Sequence, residues 1–370
     1  MNQRMDRLRA KMAEAELDAL LVGSPVEDTY KAYGANRRYL SGFTGSVAWL
    51  LIGRECAFIA ADFRYYDQAQ REAPDFTLFK ANGSVEKWLA PLLGEAGLQG
   101  KKVGYEPAGV TVATYRAMKT ALGEMAAEER PELTPAPPLV ERLRAIKEPE
   151  EIASLQRAVD LGDEAFSAVS GRIEPGWTEE QVAWEIEKYA REHGASALSF
   201  ETIVASGPWG AMPHAQPRDK RIEEGEPIVI DMGVKVDGYC SDLTRTIVLG
   251  EPDDEFKKIY DIVLTAQLTA EELISTGMVG ETAHMLAQNV IAEAGYGENF
   301  GHGLGHGVGL MVHEAPRLAR TSGDILEDGM IVTVEPGIYL SDWGGVRIED
   351  MVVMENGRAR ILSHAPKISF

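Results

Sequence analysis

The chain is poor in cysteine and in basic residues, and it has no long hydrophobic run. Its two cysteines, Cys56 and Cys240, stand far apart, so no disulfide framework organises the fold and both are expected to be small core residues. No window reaches the roughly 18 apolar residues that a membrane span requires, and the charged stretch from Met1 to Leu21 lacks the apolar centre of a secretion signal. The expectation is a cytoplasmic protein without a membrane partner. Lys and Arg number 37 against 58 Asp and Glu, a formal charge of −21. A surface of that sign repels a phosphate backbone, which argues against nucleic acid as a partner. Also missing are the G-x-S-x-G nucleophile elbow, the H-E-x-x-H zinc helix and the Lys-Ser/Thr that closes a phosphate loop.

What is present suits an ordinary folded protein of two domains. The chain has 370 residues, more than one small core needs. Its 45% hydrophobic and 26% charged residues exclude a disordered or fibrous chain. The stretch 130–140 (RPELTPAPPLV) holds four prolines in eleven residues and cannot continue a helix or a central strand. It is read as a linker over 131–139, between a domain at 1–130 and a domain at 140–370. In the first, apolar runs at 19–22, 47–52 and 57–60 predict strands, and helix-spaced residues at 85–96 and 112–122 predict helices, giving an α/β domain. In the second, helices are expected at 150–169, from Thr178 to about His193, at 255–274 and at 281–294. Strands are expected at 203–205, 227–236, 239–249, 330–334 and 346–354. Helices paired around antiparallel strands make this an α+β domain, and the two helix-pair-plus-hairpin stretches suggest an internal duplication.

Five residues in the last third carry groups suited to metals: Asp231, Asp242, His306, Glu335 and Glu349. In IVIDMGVKVDGYCSDLTRTIVL, Asp237-Gly238 is a strong hairpin turn signal. With those two residues at the turn, Asp231 faces Thr244 and Gly233 faces Asp242, so the two aspartates share a face as diagonal neighbours, roughly 7–8 Å apart at the backbone. They can lean together over a cation; without one they repel, and one stays protonated near neutral pH. A pair of solvated strand-face aspartates is the alternative. Glu335 (TVEPGIYL) and Glu349 (GVRIEDMVVM) stand at strand ends, as ligands or rim charges, and alternation along 346–351 puts Arg347 and Glu349 on one face, where a structural ion pair is the simpler reading.

Histidine usage tips the balance. Of seven in the chain, His302, His306 and His313 fall within GHGLGHGVGLMVHE, and His214 lies in SGPWGAMPHAQP. Glycines beside them allow backbone and ligand to approach closely. One imidazole as a ligand with others as proton donors near a substrate accounts for the cluster. Four carboxylates and one imidazole form a hard, anionic donor set for two divalent ions, Mn²⁺ foremost with Co²⁺, Zn²⁺ or Fe²⁺ as alternatives. Two ions ~3.5–4 Å apart can share and activate a water for amide hydrolysis.

The order of these residues, with IDMGVKVDGYCSDLTRT, GHGLGHGVG, VEPGIY and RIED around them, resembles the pita-bread metallopeptidases, in particular the proline-selective branch of aminopeptidase P and prolidase. That likeness covers about 140–370, and NRRYLSGFTGSVAWLLI (36–52) with AADFRYYDQA (60–69) resembles the branch's creatinase-type N-terminal domain. The resemblance implies that Asp231 binds one metal through both oxygens, that Asp242 and Glu349 bridge two, and that His306 and Glu335 complete the other. It implies Glu335 as general base, His214 and His313 as contacts to the carbonyl and the tetrahedral intermediate, and His302, Tyr339 and Arg347 as the pocket for the proline. Intact ligand positions distinguish the chain from creatinase, a metal-free relative, and its N-terminal domain from methionine aminopeptidase. GFTGS is more similar to aminopeptidase P, whereas the length is closer to compact bacterial dipeptidases. The implied activity is therefore Xaa-Pro aminopeptidase action by a hydroxide bridging the metals on peptides with proline second, with Xaa-Pro dipeptidase action as the alternative. A non-catalytic binding protein on the same scaffold is the reading from another class. The resemblance also implies a homodimer or higher homo-oligomer.

Overall fold

In the computed structural model, which describes residues 2–23 and 34–370, the chain divides into two units, Met1–Arg144 and Ala145–Phe370. The apolar runs of the first unit pair into one six-stranded sheet in the order Thr77–Lys80, Ala57–Ala61, Trp49–Gly53, Ala19–Gly23, Lys102–Tyr105, Glu132–Pro135. Helices Val85–Glu95 and Val112–Gly123 bring Leu89, Leu92, Leu93, Met118 and Leu122 against Leu21, Trp49 and Leu51 of the sheet, a continuous buried core.

The proline-rich stretch is not a linker along its length. Glu132–Pro135 pairs in parallel with Lys102–Tyr105 as the outermost strand of that sheet. A strand with one unpaired side tolerates proline, because the missing N–H deprives no ladder of a bond. Cys56 also departs from expectation, being half-buried rather than in the core, while Cys240 is fully buried; both are free thiols.

All strand pairs of the second unit are antiparallel. Leu243–Val248, Pro227–Met232 and Ile203–Ser206 form one sheet, and Glu314–Leu318, Gly305–Gly307, Ile331–Val334, Asp350–Glu355 and Arg358–Ile361 form another. Two small ribbons complete the set: Tyr239–Cys240 with Val234–Val236 and Ala197–Leu198, and Gly337–Leu340 with Gly344–Arg347. Helices Pro149–Ser170 and Glu179–Glu192 bury Phe166, Val169, Val182 and Ile186 with Ile228 and Ile230 of the first sheet. The pair Asp254–Leu273 and Gly280–Glu293 buries Ile259, Val263, Ala283 and Ala287 with Val332, Val334 and Val352 of the second. Each helix pair thus backs its own sheet. Helix Glu179–Glu192 starts where expected, its first turn capped by the Thr178 hydroxyl, which accepts from Gln181 N–H at 3.0 Å.

Candidate metal centre

The first hairpin follows the register set by its turn. Asp237 and Gly238 adopt φ of 53° and 85°, as a tight turn of this kind requires. Pairing runs Val236 to Tyr239, Lys235 to Cys240, Met232 to Leu243 and Asp231 to Thr244. The ladder is interrupted only around Gly233, where a Cβ would lie 2.2 Å from Ser241 O, and Asp242 occupies the facing position.

A second hairpin is built alike, which the sequence reading missed by treating 346–354 as one strand. Ile331–Val334 pairs with Asp350–Val353 and Gly337–Leu340 with Gly344–Arg347, in one continuing register. That register sets Glu335 opposite Glu349 in the gap. Pro336 has no N–H to give the ladder, and Glu335 N and Glu349 N bond instead to Leu304 O (2.8 Å) and Thr244 O (3.0 Å). Arg347 and Glu349 therefore belong to different segments and make no ion pair; Arg347 pairs with Asp231, Nη2 to Oδ2, at 2.7 Å.

His306 enters on the short strand Gly305–Gly307, with a register shift between His306 and Gly307. Its flanking glycines admit neighbouring backbone rather than a ligand: a Cβ on Gly305 would stand 2.0 Å from Thr333 O, and one on Gly307 2.0 Å from Ala315 O.

These elements bring oxygens of Asp231, Asp242 and Glu349 within 4.8 Å of one another. His306 Nε2 lies 3.6 Å from Asp242 Oδ2 and 3.4 Å from Glu335 Oε1, so Asp242 borders both parts of the cluster. His306 Nδ1 faces Gly307 O at 3.2 Å; a carbonyl only accepts, so the proton sits on Nδ1 and the Nε2 lone pair is directed at the carboxylates. Burial pushes the His306 pKa down to about 3, assisted by His313, whose ring centroid is 4.3 Å away. Burial and the carboxylates of Glu349, Asp231 and Glu335 hold the Asp242 carboxyl well above its ordinary range. Burial, then Glu335 and Asp231, does the same to Glu349. Burial raises Glu335 to about 8, against the pull of Arg347.

Two threonines given no site role from the sequence support the acids. Thr244 Oγ1 accepts from Arg347 Nε (3.1 Å) and donates to Glu349 Oε2 (2.7 Å), and Thr333 Oγ1 donates to Glu335 Oε1 (3.2 Å). Register puts Thr244 opposite Asp231, so the sequence held a signal for it. Thr333 had none. Beside them a directed chain runs from Arg347 Nη1 to the Tyr339 hydroxyl (2.8 Å), from that hydroxyl to His302 Nε2 (2.9 Å), and from His302 Nδ1 to Gly303 O (2.8 Å). Burial holds His302 neutral, its pKa about 4, and raises Tyr339 to about 12, so the chain carries one fixed direction of hydrogen bonds. His313 and His214 are exposed at the edge of this cluster. Arg347 Nη1 also reaches Pro213 O, next to His214, at 3.4 Å.

The residues fit divalent cations. Asp231 Oδ1 is buried without a hydrogen-bond partner, a cost of about 1–3 kcal/mol that a cation would remove. Three carboxylates this close, two of them buried and Asp231 half-buried, repel one another unless protonated or bridged by positive charge, and the neutral imidazole nitrogen completes an oxygen-rich donor set of the kind that first-row divalent ions take.

Comparison with known proteins agrees with this chemistry. The model of metallopeptidase family M24 matches residues 153–356, and that of the creatinase/prolidase N-terminal domain matches residues 4–146. An uncharacterized peptidase of Bacillus subtilis is 40% identical over 365 residues, 98% of each chain. The solved structure of an Xaa-Pro dipeptidase from Bacillus anthracis superposes with a TM-score of 0.90 at 40% identity, covering 99% of this chain and 98% of that one. An X-Pro aminopeptidase from Thermotoga maritima superposes with a TM-score of 0.86 at 34% identity and 99% coverage of both. Among the described residues no helix is long and apolar enough to cross a membrane.

Proposed function

Because the chain belongs to metallopeptidase family M24, a pita-bread fold preceded by a creatinase-type domain, we propose that it is an Xaa-Pro exopeptidase that frees the residue ahead of a proline at a peptide's N-terminus. The observation that carries this reading is the convergence of Asp231, Asp242 and Glu349 on one point, with a bare buried oxygen on Asp231 and with His306 and Glu335 alongside. These five would hold two divalent ions, manganese being the first to test. Ions so held supply a water of lowered pKa and a Lewis acid for the scissile carbonyl.

The protein's own groups do the rest. Glu335, joined to Thr333 through Oε1, takes the proton of the attacking water and returns it to the departing proline nitrogen. His313 and His214 flank the cluster as donors to the carbonyl oxygen and to the tetrahedral intermediate. The chain Arg347, Tyr339, His302 fixes the wall against which the proline ring rests, and its neutral imidazole suits an apolar ring better than a charged one would. Arg347 also holds Asp231 Oδ2, so Oδ1 is the bare oxygen, and binding through both oxygens, as the resemblance implies, would share Oδ2 with Arg347.

Cleavage of dipeptides is the second reading, favoured by the name of the Bacillus anthracis relative; the Thermotoga maritima relative is named for the first. Chelated protein should be inactive and should recover with Mn²⁺, and an Xaa-Pro dipeptide assayed beside an Xaa-Pro-Yaa tripeptide separates the two readings. Full turnover after removal of all metal, or activity confined to substrates without proline, would overturn the proposal.

A further inference from the structure

The backbone of Glu349, like that of Glu335 facing it, lies in a gap between two sheets, since Gly344–Arg347 and Asp350–Glu355 belong to different sheets. A ligand in such a gap needs another means of fixation. Beside the Thr244 hydroxyl on its side chain, the Glu349 backbone has two: its N–H donates to Thr244 O, and its carbonyl accepts from Arg245 Nη1. Arg245 is 1% exposed and every nitrogen is engaged. Nη1 also donates to Thr244 O, Nη2 to Asp350 Oδ1 (2.7 Å) and Ala365 O (2.8 Å), and Nε to Ala365 O and Pro366 O (both 3.3 Å). The guanidinium thus joins Glu349 and its neighbour on one side to residues 365–366 on the other.

Those residues belong to the irregular segment after the last strand. It is pinned at Ser363 Oγ, which accepts from Met351 N (3.0 Å), at His364 N, which donates to Asp163 Oδ2, and at Ile368 N, which donates to Tyr260 OH (2.8 Å). Within it Lys367 Nζ meets Asp350 Oδ2 at 2.5 Å and stands 3.8 Å from Glu271 Oε2. Asp350 is 1% exposed, so its carboxylate is shared between the Arg245 guanidinium and the Lys367 ammonium. Without the ammonium, Asp350 faces Glu271 with Arg245 as the remaining counter-charge, and Arg245 is drawn off the Glu349 carbonyl.

We propose that residues 363–368 are a strap that sets the position of Glu349, with Lys367 as its positioning residue. The inference rests on the metal-centre reading above. Groups bonded directly to a metal ligand, as Arg245 is to Glu349, typically govern affinity by roughly 10–100-fold, and Lys367 acts on Arg245 through the shared Asp350 carboxylate. Mn²⁺ titrated into chelated protein, followed calorimetrically, should therefore bind Lys367→Met at least about ten-fold more weakly than the parent. Lys367→Arg should regain most of the loss, because a guanidinium can meet the same carboxylate. Val182→Ala, a core truncation away from the strap, should lower the melting temperature and leave Mn²⁺ affinity alone. If Lys367→Met does not fold, Ser363→Ala, which loosens the same segment at one hydrogen bond, is titrated in its place and should bind Mn²⁺ several-fold more weakly. Parent-like affinity in the folded strap variant, or an affinity loss in Val182→Ala that scales with its melting temperature, would overturn the strap. Failure of the parent to bind any divalent ion would overturn the metal reading and the strap with it, and is distinguished by being seen in the parent.

Discussion

Two hairpins supply four of the five candidate ligands, and they were unequally readable. The first, 227–248, turns at Asp237-Gly238, whose conformational preference fixes the register and, with it, the common face of Asp231 and Asp242. The second, 331–355, turns through Ser341 to Trp343 without a comparable signal, and Pro336 opens its ladder one rung from the point where Glu335 and Glu349 face each other. Both designs interrupt a ladder where the acids stand. The first does so with a glycine and the second with a proline, so the first keeps its pairing logic in local sequence while the second depends on bonds to Leu304 and Thr244 from other elements.

The largest effect expected on the second hairpin is from Glu335→Gln, which retains shape but removes the base; kcat on an Xaa-Pro substrate should fall by roughly 10²–10⁴-fold. A loss of less than ten-fold would remove Glu335 from that role. The same acid makes the metal-free protein sensitive to pH. Its folded pKa of about 8 lies above the ordinary 4.5, so its contribution to stability is complete below about pH 4.5 and is lost as pH rises through about 8. Melting temperature in chelator should accordingly drop between about pH 4.5 and 8 and level off above, and Mn²⁺, which needs the ionised carboxylates, should cancel the drop. A flat profile in chelator would count against the buried acid cluster.

Backbone substitutions compare the hairpins with the strand between them. Gly305→Ala drives a methyl group into Thr333 O and should cost about 1–3 kcal/mol in denaturant unfolding, with weakened metal uptake because His306 shifts. Gly238→Ala, at φ of 85°, should cost about 1–2 kcal/mol and leave metal uptake nearly intact, since the turn lies away from the acids. Equal effects on metal uptake would erase the contrast. The smallest change is Tyr339→Phe, which cuts the chain between Arg347 and His302. It should raise KM for Xaa-Pro substrates by an amount worth about 0.5–1.5 kcal/mol, with kcat less affected.

Much of the fold was legible because its signals are local. The Thr178 cap, the helices at 150–169 and 255–274 and the first hairpin's register follow from residues within one or two turns of each other. The proline-rich stretch was harder: its composition forbids a central strand but not an outermost one, and only pairing with Lys102–Tyr105 decides between strand and linker. The glycines around His306 signalled close approach, yet sequence could not say whether a ligand or a neighbouring carbonyl does the approaching.

The sequence by itself determined which donors exist, the sharing of one strand face by Asp231 and Asp242, and the hardness of the resulting set, because residue type and a two-residue turn are local facts. Tertiary structure alone decided that Glu335 meets Glu349, that Arg347 serves Asp231 and, through Thr244, Glu349, and that the chain past Ile361 returns to Arg245 and Asp350. Those contacts join residues far apart in the chain, most by more than a hundred positions, or residues separated by an opened ladder or an irregular return segment. Their partners are chosen by packing and by the cost of leaving a buried charge unpaired, neither of which is written in any short stretch of the chain.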